Sequence, residues 1–178
     1  LIDGINKGGQ NMADTKTNLQ EAFAGESQAN RKYTFFAEKA GEAGNKQVAR
    51  LFRATAEAET VHARNHLRVL GEIKTEKENL QAAVGGENYE FTTMYPAMIE
   101  QAQKENNKEA VRSFEHANKV EEIHHKLFQA ALKNVEAGKP VKEMVYYVCP
   151  VCGNTVEGSA PDKCPICWTP GSKFKKIE

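Results

Sequence analysis

The tetrads Glu59-Thr60-Val61-His62 and Glu121-Glu122-Ile123-His124 decide how this chain folds. Each is a Glu-x-x-His pair inside a segment with helical periodicity. At spacing i, i+3 the two side chains leave one face of a helix and can grip one metal ion. Two such pairs on two long helices predict a metal site built inside a helical bundle. The surrounding periodicity supplies four helices. Leu19, Phe23, Ala29, Tyr33, Phe36 and Ala40 recur at mostly three- and four-residue steps and predict a helix over 17–43. Gly41 and Gly44 end it, and Asn45 can cap the next. A second helix over 46–70 places Val48, Leu51, Thr55, Ala58 and Val69 inward and stops at Gly71. A third over 77–105 carries Leu80, Val84, Phe91, Met94 and Met98; Gly85-Gly86 and Pro96 weaken or kink it. The fourth spans 107–136 with Val111, Phe114, Ala117, Phe128 and Leu132 inward.

Carboxylates occupy positions on these apolar stripes. Glu26 lies between Leu19 and Tyr33 at heptad spacing. Glu59 and His62 continue the line Leu51–Thr55–Ala58. Glu87 follows Val84, and Glu90 sits beside Phe91. Glu121 and His124 fall between Ala117 and Phe128. A single Glu in a Glu-rich chain is more often a solvated surface residue, and a lone Glu-x-x-His is common by chance. Five inward carboxylates, however, would repel one another and each costs several kcal/mol to bury unpaired. Bound cations make such an interior tolerable, and five Glu with two His suit two irons. Four of these Glu and both His resemble the pattern of ferritin-like di-iron bundles, one Glu from each of two helices and Glu-x-x-His from the other two, with a second Glu on the third helix in addition. His66 is read as packing behind His62. His116 and His125 are read as surface residues, and Glu122 as outward-facing.

The four cysteines form Cys149-Pro150-Val151-Cys152 and Cys164-Pro165-Ile166-Cys167. Two such knuckles supply a tetrahedral thiolate set for one iron or one zinc, and clustering of this kind argues against disulfides in a reducing compartment. Val151 and Ile166 can shield the sulfurs, and 145–148 reads as a strand entering the first knuckle. Beside a di-iron site, a one-electron iron centre makes chemical sense. The domain reading is therefore a bundle over 12–138, a linker over 139–144 around Gly138-Lys139-Pro140, and a four-cysteine module over 145–178. Met12 looks like a start, which makes 1–11 an upstream leader.

Composition narrows the classes. The chain has 178 residues, with 24 basic and 24 acidic side chains. That balance points to neither nucleic acid nor an anionic membrane. No apolar run approaches the ~18 residues needed to cross a bilayer. The opening lacks a secretory pattern, which predicts a cytoplasmic protein.

Taken together, Ala24-Gly25-Glu26-Ser27-Gln28-Ala29, the Glu59/His62 pair, Gly86-Glu87-Asn88-Tyr89-Glu90 leading to Met94-Tyr95-Pro96, the Glu121/His124 pair and the four-cysteine module resemble the rubrerythrin family over about 17–178. The resemblance implies a mainly α fold: a ferritin-like four-helix bundle followed by a rubredoxin-like module. It implies a non-haem di-iron peroxidase that reduces hydrogen peroxide to water in oxidative-stress defence of an anaerobe or microaerophile. Electrons would enter through a four-cysteine iron, supplied by rubredoxin or an NAD(P)H:rubredoxin oxidoreductase. By the same resemblance Glu59 and Glu121 bridge the irons, Glu26 and Glu90 serve one, and Glu87 and His124 the other. One iron moves between Glu90 and His62 with redox state, and Tyr33 and Tyr95 hydrogen-bond near the cluster. Zinc fits the same four thiolates. Trp168 follows Cys167 where relatives often carry Gly, so a left-handed backbone there would be strained. The competing function is ferroxidase, iron-storage or oxygen-reducing chemistry of ferritin-like proteins; the four-cysteine module disfavours it. A zinc-ribbon binding protein with a vestigial bundle is disfavoured by the complete ligand set.

One further expectation concerns assembly. In ferritin-like bundles helices two and three run parallel. Glu59 to Gly71 covers about 18 Å and Lys77 to Glu87 about 15 Å of helix, whereas residues 72–76 reach at most ~18 Å. A homodimer with swapped helix pairs satisfies this geometry; the rival is a monomer whose connection extends to about residue 80.

Overall fold

The computed structural model describes residues 14–178; the leader expected over 1–11 lies outside the described residues. The chain divides into two compact units at Lys74/Thr75.

The first unit is a helical hairpin, α1 (Thr15–Glu42) and α2 (Lys46–Val69). Asp14 caps α1 by accepting from the Thr17 amide at 2.8 Å. Gly44, at φ +78°, turns the chain, and Asn45 caps α2 through the Val48 amide at 3.2 Å. Aspartate and asparagine suit these positions because their side chains satisfy amides that lack a helical partner. The helices meet through small residues: Ala37, Ala49 and Ala56 are the buried ones. The expected inward residues Val48, Leu51 and Val69 are instead exposed, as is Phe36. Small side chains let the two backbones approach closely, and the larger apolar residues border that seam rather than fill it.

The second unit begins with α3 (Glu76–Tyr89). Thr75 and Glu78 form a reciprocal capping box, so the helix starts at Glu76 and the connection does not extend to residue 80. Gly85 and Gly86 pass without interruption. The break comes later: Glu90–Met94 form a π-helical turn before α4 (Tyr95–Lys104). Pro96 has no amide and its ring crowds the carbonyl one turn back, so widening the preceding turn keeps the helix continuous. Asn106 at φ +57° and the Asn107 cap reverse the chain into α5 (Lys108–Glu136), which packs on α3 and α4.

The four-cysteine module closes the second unit. Strands β1 (Tyr146–Val148), β2 (Thr155–Glu157) and β3 (Lys175–Ile177) form an antiparallel sheet in the order β2-β1-β3. Its buried cluster is Cys149, Cys164 and Phe174, with Ile166 packed against it. Val151 is exposed rather than shielding the sulfurs. Gly171 runs so close to another backbone segment that a Cβ would lie 1.7 Å from the Pro161 carbonyl oxygen. Neither backbone can yield without breaking the Gly171 amide bond to the Asp162 carbonyl. Gly171→Ala is expected to destabilise the module by about 3 kcal/mol or more, read as a lowered denaturant midpoint for metal release from the cysteines.

Candidate metal centres

Each unit contributes one carboxylate–carboxylate–imidazole set. In the first unit, Glu26 from α1 meets Glu59 and His62 from α2. His62 Nδ1 lies 2.9 Å from Glu59 and 3.8 Å from Glu26. In the second, Glu87 from α3 meets Glu121 and His124 from α5. There His124 Nδ1 lies 2.7 Å from Glu121 and 3.8 Å from Glu87. The two sets are near copies, because each follows from a Glu-x-x-His on one helix and a Glu on its antiparallel neighbour. Donor atoms within 4.8 Å of one another suit ligands of one cation at about 2.1 Å. An imidazole nitrogen flanked by two carboxylates needs a proton or a metal ion between them.

Electrostatics single out the second set. Burial, then the Glu121 charge, raises the Glu87 carboxyl above its ordinary range. Burial and the Glu87 charge raise Glu90 likewise. Glu90 opens the π-helical turn and is felt by Glu87 and His124, but the ligand-distance set itself comprises Glu87, Glu121 and His124. Tyr95 is held above the usual phenol range by burial and then by the charges of Glu121, Glu90 and Glu87. Tyr33 lies in an aromatic group with Phe36 and Phe52, at centroid distances of 6.4 and 6.0 Å.

The other imidazoles divide differently from expectation. His125 is not a surface residue: its Nδ1 is 3.0 Å from the Val84 carbonyl and its ring packs 5.3 Å from Phe91. It ties α5 to α3 on the face next to the ligand stripe. His116 is half-buried and lines a cleft with Arg112, Cys167 and Trp168. His66 is half-buried, in keeping with a packing role. Glu122 faces solvent and pairs with Lys126 at 2.6 Å.

The four sulfurs converge within 4.8 Å. Cys149 and Cys167 approach to 3.5 Å, as do Cys152 and Cys164. Four thiolates around one ion at ~2.3 Å would be separated by about 3.7 Å, so the set fits a tetrahedral ion. Burial pushes the Cys152 thiol well up. Burial opposes ionisation of Cys167 too, yet hydrogen bonds from Thr169 and the neighbouring thiols bring it down to about 6. The buried Asn154 amide points at Cys164 Sγ from 3.8 Å. Sequence reading missed Asn154, Thr155 and Thr169; the position of Asn154 directly after Cys152-Gly153 was the available signal. Trp168 adopts φ +65°, the left-handed conformation, and is 73% exposed. Trp168→Gly is therefore expected to stabilise the module by about 1 kcal/mol, seen as a raised denaturant midpoint.

The second unit also brings the two kinds of centre together. Gly153 packs toward Val120 on α5, and Thr155 of β2 lies 2.9 Å from His124 Nε2.

Comparison with known proteins agrees with this chemistry. The rubrerythrin family model matches residues 17–132, and the model for the rubredoxin-like domain of rubrerythrin matches 147–175. Rubrerythrin-2 of Clostridium acetobutylicum is 36% identical over 88% of this chain and 93% of its own length. Nigerythrin of Nitratidesulfovibrio vulgaris is 38% identical over 92% of this chain and 90% of its own. The solved mixed-valence nigerythrin superposes with a TM-score of 0.55 at 34% identity, covering 97% of this chain and 91% of that one. Among the described residues no helix is long and apolar enough to cross a membrane. A mainly α, ferritin-like di-iron part followed by a rubredoxin-like four-cysteine iron module places the chain in the rubrerythrin family.

Proposed function

We propose that this protein is a cytoplasmic, NADH-linked peroxidase that reduces hydrogen peroxide to water and defends against oxidative stress. One observation carries the reading: a four-thiolate module is seated on α5, the helix that supplies Glu121 and His124. A storage protein has no evident use for an electron carrier placed there. Reduced rubredoxin, or a reduced pyridine-nucleotide:rubredoxin oxidoreductase, is the electron source that matches such a module. Functional boundaries follow as a bundle over 12–138, a linker over 139–144 and the module over 145–178.

In this reading Glu59 and Glu121 would be shared between the two irons. Glu26 and Glu90 serve one position, with His62 as the alternative ligand to Glu90, while Glu87 and His124 serve the other. When bound, two ferrous ions supply two electrons which, with two protons, convert one peroxide to two waters. The protein's own groups manage charge and protons. Carboxylates balance the cations in an interior where water cannot. Tyr95, kept above its usual range by burial and by the acid charges, holds its proton at neutral pH and can donate a hydrogen bond to an oxygen at the site. Glu87 and Glu90 compete between proton and metal, because burial favours their neutral forms.

The first unit holds three of the seven expected ligands and the second holds four, so the working centre is proposed to need both, joined across a homodimer with swapped helix pairs. The test of function is anaerobic mixing of the fully reduced protein with hydrogen peroxide. Loss of peroxide with return of the visible colour of thiolate-bound ferric iron is the expected result. Ready oxygen consumption with little response to peroxide would instead assign oxidase or storage chemistry.

A further inference from the structure

The Thr155 hydroxyl lies between two groups that want different things from it. It is 3.0 Å from the Gly153 carbonyl, to which it donates, and 2.9 Å from Nε2 of His124. A hydroxyl has one proton to give. With that proton engaged by Gly153, the Thr155 oxygen can only accept, so His124 Nε2 must carry the hydrogen. The remaining nitrogen, Nδ1, is the one that faces Glu121 and Glu87. The hydroxyl thus selects which imidazole nitrogen is offered to a cation among the carboxylates.

The module is built to hold Thr155 there. Gly153, at φ +83°, turns the chain directly after Cys152. A Cβ on Gly153 would lie 3.7 Å from Val120, which sits one helical turn before His124 on α5 and is 2% exposed. Pairing of Thr155 with Val148, next to Cys149, fixes its register in the sheet. His62, the counterpart in the first unit, has a side chain 52% exposed, against 28% for His124. His124 is held at Nε2 by Thr155, a residue of the cysteine module.

We propose that Thr155 is a positioning residue for His124: its hydroxyl fixes the Nε2–H tautomer and the ring orientation that present Nδ1 to metal. This rests on the reading of His124 as a metal ligand. It adds that a side chain of the four-cysteine module, not of the bundle, prepares that ligand.

The test uses the full chain with ¹⁵N-labelled histidine, loaded with zinc at all sites, so no turnover is involved. Zinc affinity is read by competition with a chromophoric chelator, and ring nitrogens by two-bond ¹⁵N–¹H correlation. In the wild type, zinc should shift His124 Nδ1 while a slowly exchanging proton remains on Nε2. Thr155→Val should weaken zinc binding at the carboxylate site by about tenfold or more, expose the ring proton to fast exchange and scatter the coordination between nitrogens. Thr155→Ser, which keeps the hydroxyl, should restore all three readouts and show that the fold is intact. Wild-type affinity and the same Nδ1 signature in Thr155→Val would overturn the proposal alone. No zinc-induced shift at His124 in the wild type would sink the ligand assignment, and the proposal with it. Failure of the peroxide experiment would leave these spectra unaffected.

Discussion

Two inactive variants, once mixed, are expected to regain activity. Glu59→Ala/His62→Ala removes two proposed ligands of the first unit, and Glu121→Ala/His124→Ala two of the second. Each alone should fall to background, because each leaves every centre incomplete. Unfolded together and refolded with iron, they should recover about a quarter of wild-type sites: half the dimers are mixed, and each mixed dimer has one intact site of two. The reason is reach. Within a ferritin-like bundle the chain must come back along the rise from Glu59 to Val69, about 15 Å, and the rise from Glu76 to Glu87, about 16 Å. Val69 to Glu76 spans seven residue steps, at most ~24 Å fully extended. The capping box at Thr75 removes the option of unwinding α3 to lengthen the link. Burial agrees: the α1–α2 hairpin encloses three alanines and leaves Phe36 at 47% and Leu51 at 61% exposure. A helical pair in that condition requires another pair on its apolar face. Activity of the mixture staying at background would mean that each chain closes its own site, and the swap would be abandoned.

The sequence made the candidate ligands legible through contradiction: charge where the helical period asks for oil. Glu59, His62, Glu121 and His124 could be placed because three-residue spacing fixes which side chains share a helix face. Helix ends were legible where a short polar side chain had an orphan amide to satisfy, as at Asn45. Periodicity was less able to rank neighbours on a face. It put Leu51 inward, whereas the seam of α1 and α2 is made by Ala49 and Ala56, since close approach selects for small residues. It put His125 outward because that residue is off the ligand stripe, but α5 packs on α3 as well, and a second contact face needs its own phase. The π-helical turn escaped because Pro96 acts on the turn before it, and Gly85-Gly86 and Pro96, named together as weak points, gave no form to the break. Thr155 could not have been found from local pattern at all. Its role depends on how a sheet lands on a helix 31 positions away in sequence.

Cys164→Ser should have the larger structural effect. It is expected to unfold the whole module, not merely to change its metal. The buried cluster there is Cys149, Cys164 and Phe174, so two of its three members are themselves proposed ligands. Three strands of three residues each cannot supply a compensating core, and domains below roughly 40 residues usually depend on metals or disulfides. All four cysteines are free thiols, which leaves the metal as the support. Structural sites of this type contribute on the order of 10 kcal/mol through metal binding. Serine at position 164 would put a hydroxyl where a fully buried thiolate belongs and would leave the Asn154 amide without its sulfur acceptor. Hydrogen exchange across 146–178 should rise to the rate of an unfolded chain, while the helical circular dichroism from α1–α5 persists. Peroxide reduction driven by reduced rubredoxin should drop at least a hundredfold. A single turnover of chemically reduced protein should fall much less, by roughly the tenfold expected from losing a supporting partner of a metal ligand, since Thr155 would leave His124 as the module unfolds. If the variant keeps a protected sheet at 146–157, packing rather than metal holds the module, and the thiolate centre is an addition to a fold that stands without it.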